Sequence, residues 1–475
     1  MLWVRRLLFG TFVIAYIIIC PLLVLYALGY IYSPVAGELV HTGVLYVDSV
    51  PSGADIYLEK SRFSHRTPAT IEELLPGSYK ISLRKKGYNA WTHSVTIEPG
   101  KAVAFKNVLL IPRNWPQKDI TTQSYKDLVP IDNEQLFLIT TGPNLDNFFV
   151  YNLNGDIRPL LPPESPFSAL PVIKVHHVAK SDAIVIYGGT FWDKKYLYLN
   201  LKDKEPNAID ITKFLPDEPS FITWQAKNQT TLFARQKNCI SRLDVETSKI
   251  FPCYLENIKG FGLYDNYACV IDANDLLIRH SLDTHKQENL SEDIRLAKRL
   301  LDRSEFYHID VKNTRTIFFM GTEGDFLVNL PPYYIAPKDV IGYRFSANTD
   351  LLLYWTKTSL TVADFSVGRD KTVFHENFKI QTVYQNGRNL KQAFWADDNS
   401  HILCNDADTV YLIELLPQGD PHVQPVIKIK NNTKVFYNLD ENALYCLDQK
   451  SGVLKQLRII PKQPLTTAPL RKMRE

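Results

Sequence analysis

Two histidines stand side by side at His176-His177, and two more lie close together at His280 and His285. Imidazole is a common metal ligand, so each pair invites an ion. On a strand, neighbouring side chains point to opposite faces, and His176 and His177 could then not share one metal. His280 and His285 would align only on a helix, and their surroundings read as strand and turn. Asp272, Asn274 and Asp275 form a small acidic turn, which reads as a hairpin because the spacing of a calcium loop is missing. His375-Glu376 lacks the second histidine of a zinc-protease helix. No G-x-S-x-G elbow and no phosphate-binding glycine loop occurs. The sequence therefore predicts no catalytic, cofactor-binding or metal-binding constellation, and a protein that is not an enzyme.

Of six cysteines, Cys20 falls in an apolar run, leaving Cys239, Cys253, Cys269, Cys404 and Cys446. Five is odd, so at least one has no partner within the chain. Cys239 and Cys253 are close enough to bridge adjacent strands, and burial as free thiols is an equal reading. Two aromatic pairs fall in loops, Phe191-Trp192 and Tyr333-Tyr334, the latter after Pro331-Pro332. Such rings either bind a partner or seal one repeat against the next, and sealing is the favoured expectation.

The elements that would carry any site are strands. Tyrosine (25) and phenylalanine (24) are plentiful and methionine (3) is scarce. From about residue 120 to 460, an apolar strand, a polar turn and a second apolar strand recur. The copies begin near Glu134, Asp182, Thr231, Tyr267, Thr316, Leu351, His401 and Ala443. Propeller blades repeat about every 40–50 residues, each a four-stranded sheet. The pattern resembles blades of the TolB or WD40-like propeller superfamily. Eight blades fit best, seven is the alternative, and an array of β-sandwiches is the competing architecture. Residues 292–303 (EDIRLAKRLLDR) have helical spacing behind a possible N-cap, Ser291. The tail from Pro461 is proline-rich and basic, and is predicted to be disordered.

Leu7 to Leu28 carries no charge and is long enough for a helix to cross a bilayer. Arg5 and Arg6 precede it, and no Lys or Arg follows until Lys60. Positive flanks stay in the cytoplasm, which predicts a single-pass protein with its N-terminus inside and its bulk extracytoplasmic. Tyr26, Tyr30 and Tyr32 suit the outer headgroup zone. A cleaved signal peptide is the competing reading.

Between residues 42 and 111, alternating apolar pairs and turns predict about six short strands in a small antiparallel sandwich. Pro51-Ser52-Gly53-Ala54, Thr67-Pro68, Pro76-Gly77 and Gly87-Tyr88 lie at the turns. In order and spacing these residues resemble the PEGA domain family. Ser52 replaces the usual glutamate, a solvent-side change, and the glycine often found near Glu59-Lys60-Ser61 is missing. The resemblance implies a non-catalytic envelope module. Arg84-Lys85-Lys86 is either a basic patch for acidic wall polymers or a solvated strand end, the latter favoured.

The predicted fold class is mainly β: one N-terminal transmembrane helix (1–33), a PEGA-like sandwich (42–111), a propeller of seven or eight blades (120–460) and a tail (461–475). With 54 basic and 51 acidic residues, net charge +3, nothing suggests a nucleic-acid partner. The expected role is a membrane-anchored binding or scaffold protein of the cell envelope, without cofactor, contacting a protein or cell-wall glycan. The alternative is a lyase or glycosidase with its site in the propeller channel.

Overall fold

The computed structural model describes residues 2–33, 37–133, 135–215, 218–284, 286–290, 305–313, 316–329, 334–335, 338–346, 351–365, 379–396, 400–416 and 419–459. The helical spacing at 292–303 and the tail from Pro461 lie outside the described residues.

The chain opens with the helix Leu2–Ala27, which contains Pro21. Its segment Trp3–Ala27 has a mean hydropathy of 2.6, long and apolar enough to cross a membrane. Its side chains have almost no protein around them; Phe12, for example, is 78% exposed. Beyond the helix the contacts divide the chain into two compact units. The first is built mainly on residues up to Pro116, and the second on Gln117–Ile413 with Val423–Leu457.

In the first unit, two sheets enclose one core. One sheet orders Ala69–Leu74, Gly43–Val50 and Ala102–Leu109; the other orders Ser61–Arg66, Asp55–Leu58, Gly77–Arg84 and Trp91–Ile97. Leu45, Val47, Ile56, Ile81, Leu83, Val95 and Phe105 alternate inward from both sheets into that core. Seven strands stand where the sequence predicts about six. The sandwich is also not wholly antiparallel, because Gly43–Val50 pairs in parallel with Ala102–Leu109. That pair joins the module's first and last strands, a non-local choice that alternation along one strand cannot reveal.

The motif residues explain one another. Thr67 is buried, and its Oγ1 lies 2.6 Å from Ser49 Oγ while accepting the Ala54 N–H at 2.9 Å. The Gly53 N–H donates to Thr67 O at 2.7 Å, and Thr67 N–H donates to Ala54 O at 3.0 Å. Gly53 takes φ +80°, which favours glycine. Pro51 and Pro68 follow cis peptide bonds at the two ends of this cluster. The missing glycine near residue 59 is replaced by a strained residue: Glu59 itself takes φ +54°. Pro76-Gly77 leads into the strand Gly77–Arg84, and Tyr88 packs on the core beside Gly87. Of the basic run, Arg84 lies 4.4 Å over the Tyr57 ring and Lys85 Nζ donates to Ser52 O at 2.7 Å.

The second unit is a β-propeller of eight blades. Among the described residues, six sheets hold four strands each, and one sheet of eight strands joins two further blades. The first strands of blades 1 to 7 are Asp127–Pro130, Val172–His177, Phe221–Trp224, Ile258–Tyr264, Tyr307–Asn313, Gly342–Phe345 and Leu390–Trp395. Blade 8 runs from Phe436–Asn438 outward and is completed by Gln117–Ser124, the first strand of the unit, on its outer edge. The ring is thereby closed by the two ends of its own chain. The seven apolar strand pairs and the single strand at Ala443 legible in the sequence are middle strands of these blades.

The middle strands read as continuous apolar runs because both of their faces are buried. In Ala183–Gly189 of blade 2, Ile184 and Ile186 pack with Leu138 and Val150 of blade 1. Ala183 and Val185 face the other way, to Trp224 and Leu232 of blade 3. Equivalent cores join blades 3 to 4 around Phe233 and Phe261, and blades 8 to 1 around Phe137 and Tyr445. Blades 4 and 5 come closest, with Gly260 and Phe261 paired in parallel to Tyr307 and His308. A Cβ on Gly262 would lie 1.8 Å from Ile309 O, so this approach requires glycine.

Candidate functional site: a pocket and an exposed hairpin on blade 2

Blade 2 carries a hairpin from Ala183–Gly189 to Lys194–Asn200, with Tyr187 opposite Tyr196 and Gly189 opposite Lys194. The turn is tight. Gly189 takes φ +112°, and a Cβ there would meet Asp193 O at 2.0 Å. This holds Phe191 and Trp192 at the tip, 78% and 90% exposed, with their rings edge-on at 4.8 Å. The favoured expectation that this pair seals neighbouring blades is corrected: the turn projects both rings away from the blade cores. The first strand of the blade adds a bulge. Val172 pairs with Gly188 and Lys174 with Tyr187, leaving Ile173 unpaired and 58% exposed.

Beneath the hairpin lies a cavity of about 460 Å³ lined by Lys174, His176, Tyr187, Tyr196, Glu218 and Ser220. Tyr187 and Tyr196 stack at 4.7 Å with their planes 18° apart. The Tyr187 hydroxyl donates to Glu218 Oε1 at 2.8 Å, and Lys194 Nζ pairs with the other carboxylate oxygen. These two bonds hold the Glu218 carboxyl below the usual carboxylate range. Burial, with Lys174 and His177 adding positive charge, lowers His176 to about 4.

The wall continues past Ser220, whose N–H donates to Arg235 O at 3.0 Å. The adjoining Phe221 stands 4.8 Å from the ring of His308, on blade 5. Burial lowers the His308 pKa, and the charges of Arg235 and Lys174 lower it further. The Arg235 guanidinium lies 4.0 Å over the Phe306 ring, and its buried Nε makes no hydrogen bond.

The two adjacent histidines face opposite ways, as strand alternation requires. His176 turns into the cavity. His177 turns toward blade 1, where its Nδ1 lies 3.6 Å from Asp132 Oδ2. The other oxygen of Asp132 lies 3.4 Å from Arg344, on the first strand of blade 6. Burial lowers the His177 pKa, against the pull of Asp132. Burial also raises the carboxyls of Asp127 and Asp310, on blades 1 and 5. Asp310 accepts the Tyr343 hydroxyl at 3.2 Å, and Asp127 accepts the Leu128 N–H at 2.8 Å.

The other sequence candidates fall elsewhere. Asp272 caps Asn274 and Leu276 N–H groups in the hairpin between Tyr267–Asp272 and Leu277–Ser281, and Asp275 pairs with Lys259. His280 sits on a strand beside Gln287. His285, His375, Glu376 and Tyr333 lie outside the described residues, as does the side chain of Tyr334. Among the described residues, no three His, Cys, Asp or Glu side chains are grouped to hold a metal. Cys239 and Cys253 form a disulfide across adjacent strands of blade 3, while Cys269, Cys404 and Cys446 are buried thiols. Sequence reading missed Lys174, Tyr187, Tyr196 and Glu218. Gly188-Gly189 just before Phe191-Trp192 was the available signal, since paired glycines mark a tight turn that displays its tip.

Residues 42–111 match the PEGA domain family. No curated protein sequence matches the chain. Solved structures with a related fold include YCF48 from Cyanidioschyzon merolae, 12% identical, covering 72% of this chain and 98% of its own, TM-score 0.38. Kluyveromyces lactis Hsv2 is 9% identical, covering 64% and 98%, TM-score 0.40. PorZ, a surface component of the type-IX secretion system of Porphyromonas gingivalis, is 12% identical, covering 70% and 42%, TM-score 0.36. Similarity this low carries no function across. The chain's own sheet order defines the class: a PEGA-type module followed by an eight-bladed propeller, a combination suited to binding or scaffolding.

Proposed function

We propose that this protein is a membrane-anchored binding or scaffold protein of the cell envelope. Its N-terminus lies in the cytoplasm, and its PEGA-type module and propeller lie outside. The single observation that carries the binding role is the hairpin that holds Phe191 and Trp192 in solvent beside a lined cavity. Exposed aromatic side chains next to a concavity are the usual anchors of a partner surface. The anchor reading rests on the uncovered apolar helix, with Arg5 and Arg6 before it and no cation after it until Lys60. The role is non-catalytic.

Two measurements test it. External protease applied to intact cells should digest the propeller while carbonate washing leaves the chain in the membrane fraction. Release by carbonate would remove the anchor, and full protection would reverse the orientation. Purified protein should also be pelleted with isolated cell-wall sacculi over a salt series. Salt-sensitive pelleting would make a wall glycan the partner, and no pelleting at any salt would leave a protein partner.

A further inference from the structure

The three most exposed large hydrophobic side chains described in the propeller unit, Ile173, Phe191 and Trp192, belong to one corner of blade 2. Cationic groups border the same corner. Lys174 follows Ile173, lines the cavity, and has no acidic partner among the described residues. The only acid in the cavity lining, Glu218, is already engaged by Lys194 and Tyr187. Deeper in the same region, Arg235 and Lys174 both act electrostatically on His308. The site therefore combines an uncovered apolar tip with uncompensated positive charge. An anion is what the floor lacks, and an apolar group is what the rim lacks.

We propose that this corner receives a protein segment carrying a carboxylate beside an aromatic or branched aliphatic side chain. The carboxylate meets Lys174, and the apolar side chain meets Ile173, Phe191 and Trp192. The proposal rests on the binding role given above and names the chemistry of the partner. A cavity of about 460 Å³ suits one or two side chains rather than a folded surface. A polyphosphate offers the same anion but has nothing apolar to cover Ile173, Phe191 and Trp192, whereas a peptide satisfies both halves of the site.

The neighbouring imidazole gives the interaction a pH signature. His176 shares its cavity with Lys174 from its own strand, Tyr187 and Tyr196 from the hairpin, and Glu218 and Ser220 from the link into blade 3, and it feels the charge of His177 from the opposite face of the strand. A carboxylate bound at Lys174 favours the protonated ring, so the complex holds more protons than the free protein. Any gain in affinity from this proton uptake therefore falls toward the acid end of the range, since the free ring titrates at about 4.

The test uses the full chain in nanodiscs and fluorescent blocked tetrapeptides. One is acetyl-Gly-Glu-Phe-Gly-amide; its controls replace Glu by Gln or Phe by Ala. The acidic aromatic peptide should bind, with roughly tenfold weaker binding for either control peptide and for the Lys174→Gln and Phe191→Ser/Trp192→Ser variants. Equal affinity for the Gln peptide, indifference to Lys174→Gln, or no peptide binding at all would overturn the proposal. So would binding of a polyglucuronate or polyphosphate probe that survives Phe191→Ser/Trp192→Ser, which would assign the corner to an anionic polymer. The variant positions lie at the surface, and unchanged melting curves confirm folding. Failure here together with membrane retention would sink the peptide assignment and leave the anchored binding role standing. Carbonate release would sink that anchored role instead.

Discussion

Ser49 Oγ and Thr67 Oγ1 lie 2.6 Å apart inside the PEGA-type module, tying the strand Gly43–Val50 to the bend between Ser61–Arg66 and Ala69–Leu74 through a buried pair of hydroxyls. Thr67 Oγ1 also accepts the Ala54 N–H at 2.9 Å, and Ser49 Oγ reaches Pro51 O at 3.0 Å. Four residues that are separate in sequence thus form one polar cluster. Replacing Thr67 by Val keeps the shape and strands the Ala54 amide. The expected cost is about 1–3 kcal/mol. Amide hydrogen exchange at Ala54 should accelerate accordingly, and Thr67→Ser should restore most of the protection. Unchanged exchange in the valine variant would show that the cluster is not holding the turn.

Gly262→Ala is expected to be among the most damaging single changes in the propeller. The added methyl would stand 1.8 Å from the Ile309 carbonyl oxygen on the next blade. Neither backbone can move without breaking the parallel pairing of Gly260 with Tyr307. A loss on the order of 3–5 kcal/mol, or an insoluble chain, should follow. A melting curve within a degree or two of the parent would mean that blades 4 and 5 are not packed this closely.

Peptide mapping without reduction should recover Cys239 linked to Cys253, 14 residues apart. Breaking a loop of that size costs about 3 kcal/mol in the chain-entropy account. The remaining thiols of the propeller are buried, which pushes Cys269 up to about 11 and Cys446 up to about 12, and raises Cys404 as well. Alkylation at pH 8 should therefore label these three only after unfolding. An alkylated Cys239 in the unreduced, folded protein would eliminate the bridge.

Acid should weaken the propeller as its buried histidines lag behind those of the unfolded chain in taking up protons. His176, His177 and His308 all have pKa values below the ordinary 6.5, with burial the largest cause. The unfolded chain binds protons at 6.5, while folded His176 binds at about 4, so unfolding takes up protons between those values. Their contribution is complete above pH 6.5 and is lost progressively as pH falls toward 4. Urea midpoints at pH 7.5, 6 and 4.5 should decline in that order. His176→Gln, which cannot be protonated, should flatten the decline. An identical slope in the variant would assign the acid sensitivity to other groups.

Three parts of the architecture were legible from order and spacing alone. The helix is a matter of length, since few soluble folds need more than 20 consecutive apolar residues. The PEGA-type turns follow from residues such as Gly53, whose φ of +80° few other residues tolerate. The apolar strands of the eight copies follow from burial on both faces, which makes Ala183–Gly189 and its counterparts stand out against their polar turns.

What the tertiary structure alone decided is which distant residues meet. Alternation places His176 and His177 on opposite faces, and only the packing of neighbouring blades supplies Asp132 to His177 and Glu218 to the cavity that His176 lines. Arg344 reaches Asp132 across 212 residues because blades 6 and 1 share a central channel, a neighbourhood with no local trace. Sequence likewise left open whether Phe191 and Trp192 seal or protrude. That outcome depends on the Gly189 turn, whose φ of +112° carries the hairpin tip away from the cores on both sides. Local propensity and periodicity act over a few residues and so fix the elements. Ring closure acts over hundreds, and it alone determines what each strand end faces.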